Sequence, residues 1–135
     1  PKAPATSTSS GCSAAPAAYV NQALGTSYQE PDVNDSDPVT VCTYTSADKS
    51  KTGIVRFESG TSSLKGVRES FDSNGQPTAD LAGAGDEAFS SSSGGTGLVP
   101  RINTVVVRKG NKNVQVVSEA SIESESKLAV ALLSK

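Results

Sequence analysis

The sequence predicts an α+β domain: an antiparallel sheet of four or five strands with three helices, in the order α-β-β-α-(β)-β-β-α, closed by one disulfide. Three observations carry this reading. Residues 39–45 with 52–59, and 103–109 with 112–118, alternate apolar and polar side chains across short polar turns, which is hairpin patterning. Segments of helical period precede, separate and follow these hairpins, and hairpins separated by helices do not readily build a parallel sheet. The chain also has two cysteines, Cys12 and Cys42, and no histidine, methionine or tryptophan. An even cysteine count in a small domain reads as a disulfide formed in an oxidising compartment; the alternative is two unrelated thiols.

The elements follow in order. Residues 1–11 are rich in Pro, Ser, Thr and Ala and read as a flexible tether, leaving 12–135 as a single domain. A first helix is expected over 13–24, with Ser13 as N-cap, Pro16 tolerated in the first turn and Gly25 as an αL stop. Residues 28–38 hold two prolines and four acids and read as a loop. In the first hairpin Val39, Val41 and Thr43 share one face, while Thr40, Cys42 and Tyr44 share the other. On its second strand Val55 and Phe57 oppose Ile54, Arg56 and Glu58. Leu64, Val67 and Phe71 then space as a short helix capped among Thr61, Ser62 and Ser63 and stopped by Asn74-Gly75. A short strand is expected over 87–91, and the Gly/Ser run 90–97 reads as a mobile loop. In the last hairpin Gly110-Asn111 supplies a tight primed turn. The closing helix begins at an N-cap, Ser121. Glu123 and Glu125 suit its positive end, Lys135 its other end, and Glu123 pairs with Lys127. Its apolar stripe is Ile122, Ala129, Leu132 and Leu133.

Composition narrows the function classes. The formal net charge is −2, both signs are scattered, and no basic run combines with stacking aromatics, so nothing suggests a nucleic-acid surface. No stretch approaches the roughly 20 apolar residues of a membrane span. The first residue is proline, so the chain is expected to be processed or truncated, with any signal peptide removed upstream.

Candidate motifs favour plain readings. Gly83-Ala84-Gly85-Asp86-Glu87-Ala88 matches a G-x-G-x-x-A pattern, but a dinucleotide site needs a buried strand before it and a helix after it. The expected structure is a tight glycine turn entering a strand, with Asp86 bonding local backbone N–H groups. The acids Asp32, Asp35 and Asp37 lack the glycine and glutamate spacing of an EF-hand loop, leaving a solvated acidic loop over a looser calcium site. Ser124-Glu125-Ser126-Lys127 has S-x-x-K spacing without partner motifs. Asp86 and Glu87 are adjacent, so they point apart rather than together as a glycosidase pair. Leu98-Val99-Pro100-Arg101 coincides with half of a thrombin recognition sequence in the mobile loop. No cofactor, metal or catalytic residue is expected, and the domain is expected not to be an enzyme.

The order of Cys12, Cys42-Thr43-Tyr44, Gly83-Ala84-Gly85-Asp86-Glu87-Ala88-Phe89 and Val106-Val107-Arg108-Lys109-Gly110-Asn111, followed by an amphipathic helix, resembles small extracytoplasmic lipoprotein domains of actinobacteria and related bacteria. The resemblance runs from Cys12 to about Leu133. It implies a helix-flanked antiparallel sheet similar to the PsbP/Mog1 type, a Cys12–Cys42 bridge, and lipid or secretory attachment upstream. It implies no catalytic residues, and Gly83, Gly85, Asp86, Glu87 and Phe89 form a motif of unknown role. No lipobox cysteine is present. The expected function is a non-catalytic cell-envelope binding or accessory domain, secreted or anchored to the outer face of the membrane, with an exposed apolar patch or cleft beside the sheet. The alternatives are a sensory ectodomain module of a larger membrane protein and a secreted enzyme.

Overall fold

A computed structural model describes residues 10–36, 38–60, 62–95 and 97–134. In chain order the elements are α1 (Ser10–Ser13), α2 (Ala17–Leu24), β1 (Asp32–Ser36), β2 (Val39–Thr45), β3 (Thr52–Ser59), α3 (Lys65–Ser73), β4 (Thr78–Asp80), β5 (Glu87–Ser93), β6 (Ile102–Lys109), β7 (Lys112–Ser118) and α4 (Ile122–Leu133). The strands form one antiparallel sheet in the order β1-β2-β3-β7-β6-β5-β4. β3 and β4 are consecutive in sequence but have three strands between them, and α3 makes the crossing.

The α+β class holds, with seven strands rather than four or five. The two additions are the sheet edges. β1 lies in the segment expected as a loop; its Asp, Asn and Ser residues are poor strand formers, all exposed, and only the ladder to β2 keeps them extended. β4 is three residues held on β5. β5 itself continues to Ser93, through serines expected in the mobile loop. Ser91 Oγ donates to Pro77 O at 2.9 Å and Ser92 Oγ to Asn103 Oδ1 at 2.6 Å, so their hydroxyls are satisfied within the fold. The helix expected over 13–24 begins only at Ala17, and Ser13, expected as its N-cap, instead ends the separate short helix α1. Pro16 is the N-cap of α2 with extended backbone (φ −63°, ψ 156°), and proline disfavours helical geometry at the residue before it. Ser10 and Gly11, placed in the tether by composition, lie in α1.

The hairpin faces follow the alternation. Cys42, Tyr44, Val55, Val105, Val107, Val114 and Val116 are buried together under Val20 and Leu24 of α2 and Leu128, Ala129 and Leu132 of α4. Tyr44 donates from its hydroxyl to Ala15 O at 2.6 Å, which turns the α1–α2 break into a buried contact with β2. Cys12 is bridged to Cys42 with Cα atoms 5.7 Å apart, fixing the first helical turn to the same strand. On the opposite sheet face α3 covers a smaller cluster of Leu64, Phe89 and Val106, with Val67 and Phe71 against it. Ser121 caps α4 by accepting from Ser124 N at 3.1 Å, as expected. The α3 N-cap is Leu64 with no side-chain cap bond, although Ser63 Oγ accepts from Lys65 N at 3.1 Å. Thr61 and Lys135 lie outside the described residues.

Candidate functional site

The segment 83–89 is the most structured of the sequence motifs, and its bonds run inward. Gly85 adopts φ 58°, and a Cβ there would sit 2.6 Å from Arg108 O. That close approach lets Asp86 N donate to Arg108 O at 2.7 Å. Asp86 Oδ2 accepts from Gly110 N at 2.8 Å, holding the β6–β7 turn. The expected local partner is thus replaced by one 24 residues away. Glu87 Oε1 accepts from both Arg108 Nε and Leu64 N at 3.0 Å, so a residue of β5 joins the Ser63 hydroxyl in holding the start of α3. Phe89 is buried edge-on to Phe71, with ring centroids 5.4 Å apart and the Arg68 guanidinium 5.7 Å above its ring. Gly83, with φ 82°, turns the chain into this clasp and leaves open space where a Cβ would stand. The motif therefore ties β5, the β6–β7 turn and α3 together.

The other chemical candidates are kept apart by the fold. Asp32 and Asp35 lie on opposite faces of β1, and Asp35 Oδ1 accepts from Thr40 Oγ1 at 2.6 Å. Among the described residues no three metal-ligating side chains converge, and Asp37 lies outside them. Ser124 shares its hydroxyl with Ser121, while Lys127 reaches Glu123 at 3.7 Å on the exposed side of α4. A shallow depression of about 380 Å³ lies between the β4–β5 turn and α4, lined by small or apolar residues together with Ser126 and Lys127.

One titratable group departs from the sequence expectation. Glu125 points into the core, at 0% exposure, instead of toward solvent at the helix start. Its Oε2 accepts from Ser118 Oγ and its Oε1 has no hydrogen-bond partner. Burial pushes its pKa up to about 8, against the lowering effect of Ser118, so the carboxyl is held neutral at pH 7. The signal that identifies it is periodicity: Glu125 precedes Leu128, Ala129 and Leu132 by three, four and seven residues, on one helix face.

Two surfaces remain open. The first is the part of the sheet face that α3 leaves uncovered. Registers place Val41, Arg56 and Gln115 in one cross-strand row, and Thr43, Ile54, Val117 and Thr104 in the next. These side chains are half-buried, and α3 packs beside them on Phe89 and Val106. Arg56 pairs with Glu58 at 2.9 Å. Beside them Asn113 is buried between Glu58 and Arg108 in register, and its Nδ2 has no partner. The second surface is the β5–β6 loop, where Leu98 is 102% and Val99 59% exposed. Among the described residues no helix is long and apolar enough to cross a membrane. The disulfide is compatible with an extracytoplasmic location. Comparison with known protein families, with curated proteins and with solved structures finds no match.

Proposed function

We propose that this chain is a non-catalytic binding or accessory domain of the cell envelope, held at the outer face of a membrane through the Ser/Pro-rich residues at its start. The observation that carries the reading is the uncovered sheet face. Antiparallel sheets tolerate one solvated face, and such faces usually alternate to polar residues. Here the row Thr43, Ile54, Val117 and Thr104 keeps β-branched side chains on that face, beside a polar row centred on Arg56 and Gln115. A rigid mixed surface, with half-buried β-branched side chains beside a few oriented polar groups, suits recognition of a partner, with main-chain ladders holding it in place. The Cys12–Cys42 bridge and the motif order resembling extracytoplasmic lipoprotein domains support the location. The 83–89 motif serves this function as scaffold, by docking α3 on one part of the face and leaving the rest free.

The test is site-specific photo-crosslinking in an envelope fraction, with the crosslinker at Gln115 on the open face and, as control, at exposed Ala18 of α2. The expected result is a discrete product from position 115 that excess unlabelled protein competes away, and none from position 18. Equal, non-competable labelling from both positions overturns the proposal.

A further inference from the structure

We propose that the outer edge of β1 is a docking rail for an extended, basic segment of a partner protein, which adds to the sheet as a strand beside β1. The contact uses the margin of the sheet and is separate from the partner proposed for its open face.

The sheet has two margins, and they differ in what they offer. β4 is three residues long, and Arg68 of α3 reaches its side chains, donating from Nε to Thr78 Oγ1 at 2.7 Å and pairing with Asp80. β1 runs for five residues, is laddered to β2 on one side only, and is exposed at every position. Its outward main-chain groups are therefore open to strand addition, in which backbone bonds supply affinity and alternate side chains supply specificity. The apolar layer also stops one strand short of this edge. Val33 lies opposite Cys42 in register, yet Cys42 is fully buried and Val33 is 57% exposed. A side chain on an added strand would stand about 5 Å across from Val33 and extend that layer.

The charge around this margin chooses the strand. Between Lys2 and Lys49 the sequence has Glu30, Asp32, Asp35, Asp37 and Asp48 and no Lys or Arg. α1 and α2, on the helix side of the sheet, carry no charged residue, and neither does β2. The cations beyond β2 are Lys49 and Lys51, whose turn also holds Asp48, and Arg56, which is paired with Glu58 at 2.9 Å. Asp35 Oδ1 accepts from Thr40 Oγ1, and Asp32 makes no side-chain bond among the described residues. Charges on an edge ordinarily blunt it. Here their sign is uniform and they flank an exposed valine, so the strand they admit is one with Lys or Arg around an apolar residue. On an added strand such cations would face Asp32 on one side of the sheet and Asp35 on the other.

The probe is the acetylated, amidated peptide T-K-T-V-K-T, titrated into 15N-labelled protein and followed by amide shifts. Antiparallel addition sets its lysines opposite Asp35 and Asp32 and its valine opposite Val33. The expected result is a set of shifts centred on residues 32–36, with a Kd on the order of 1 mM or tighter. N-methylating one alternate set of the peptide's amides is expected to abolish binding and N-methylating the other set to spare it, because only one set faces β1. Replacing both lysines of the peptide by glutamate is expected to abolish binding to the parent. Asp32→Lys with Asp35→Lys, both at exposed positions, is expected to reverse the preference, so that the glutamate peptide binds about tenfold better than the lysine one. Absence of shifts overturns the proposal, as do shifts centred on the open face around Gln115. Equal binding of the lysine and glutamate peptides, or equal tolerance of both N-methylated sets, overturns it too, since simple charge attraction needs no ladder.

Discussion

Replacing Glu125 by glutamine should make the domain more stable at alkaline pH and leave it no more stable in acid. The carboxyl is fully buried, with one oxygen on Ser118 and the other without a partner, and its folded pKa is about 8 against an ordinary 4.5. A folded pKa raised above the unfolded one means that the native state holds the proton more tightly. The associated stability is fully present below about pH 4.5. It declines as the unfolded chain ionises and the folded chain does not, and is exhausted once pH passes about 8. At about 1.4 kcal/mol per pH unit the ceiling of this loss is about 5 kcal/mol. Glutamine removes the titration but places an amide where a carboxyl fitted, at a cost of about 1–3 kcal/mol. The net expectation is a gain of about 2–4 kcal/mol at pH 9 and a loss of about 1–3 kcal/mol at pH 4. Urea midpoints of both proteins at pH 4, 7 and 9 measure it. A parent-to-variant difference that stays constant across those pH values would refute the argument that Glu125 is held protonated by burial.

Further outcomes follow from the same structure. Reducing the Cys12–Cys42 bridge, which closes a separation of 30 residues, should lower unfolding free energy by about 3–4 kcal/mol, read as a drop in denaturation midpoint with reductant present. Gly85→Ala, which meets both a positive φ and the Arg108 carbonyl, should cost about 2–4 kcal/mol, while Gly83→Ala, with open space, should cost about 1 kcal/mol; equal costs would remove the close-approach argument. Tyr44→Phe should cost about 1–3 kcal/mol by leaving buried Ala15 O without its donor, seen in thermal melts.

The hairpins were legible because both of their faces obey a two-residue period, from Val39 to Thr45 and again through Val105, Val107, Val114 and Val116. The edges were not, since Asp32 to Ser36 has loop composition and is extended only by its pairing with β2. Ser90 to Ser93 misled for a related reason: serine reads as solvent-facing until Pro77 O and Asn103 Oδ1 are seen accepting its hydroxyls. Pro16 was readable as a helix breaker, and its restriction on Ala15 explains the split that a tolerant first-turn reading missed. The 83–89 motif was found as a pattern, but its work depends on Gly110, 24 residues from Asp86, and Leu64, 23 from Glu87, and no local rule points there. Glu125 was read for its charge near a helix start when its spacing to Leu128 and Leu132 already marked it as inward.

The two margins of the sheet determine what happens when many copies of this domain are crowded together. β1 offers its unpaired backbone beside Asp32 and Asp35, and β4 offers only three residues. Like charges set against each other on abutting β1 margins repel, and so short a rim as β4 cannot template a neighbour. A dense layer of these molecules on a surface should therefore resist fibrillar coalescence without help from a chaperone.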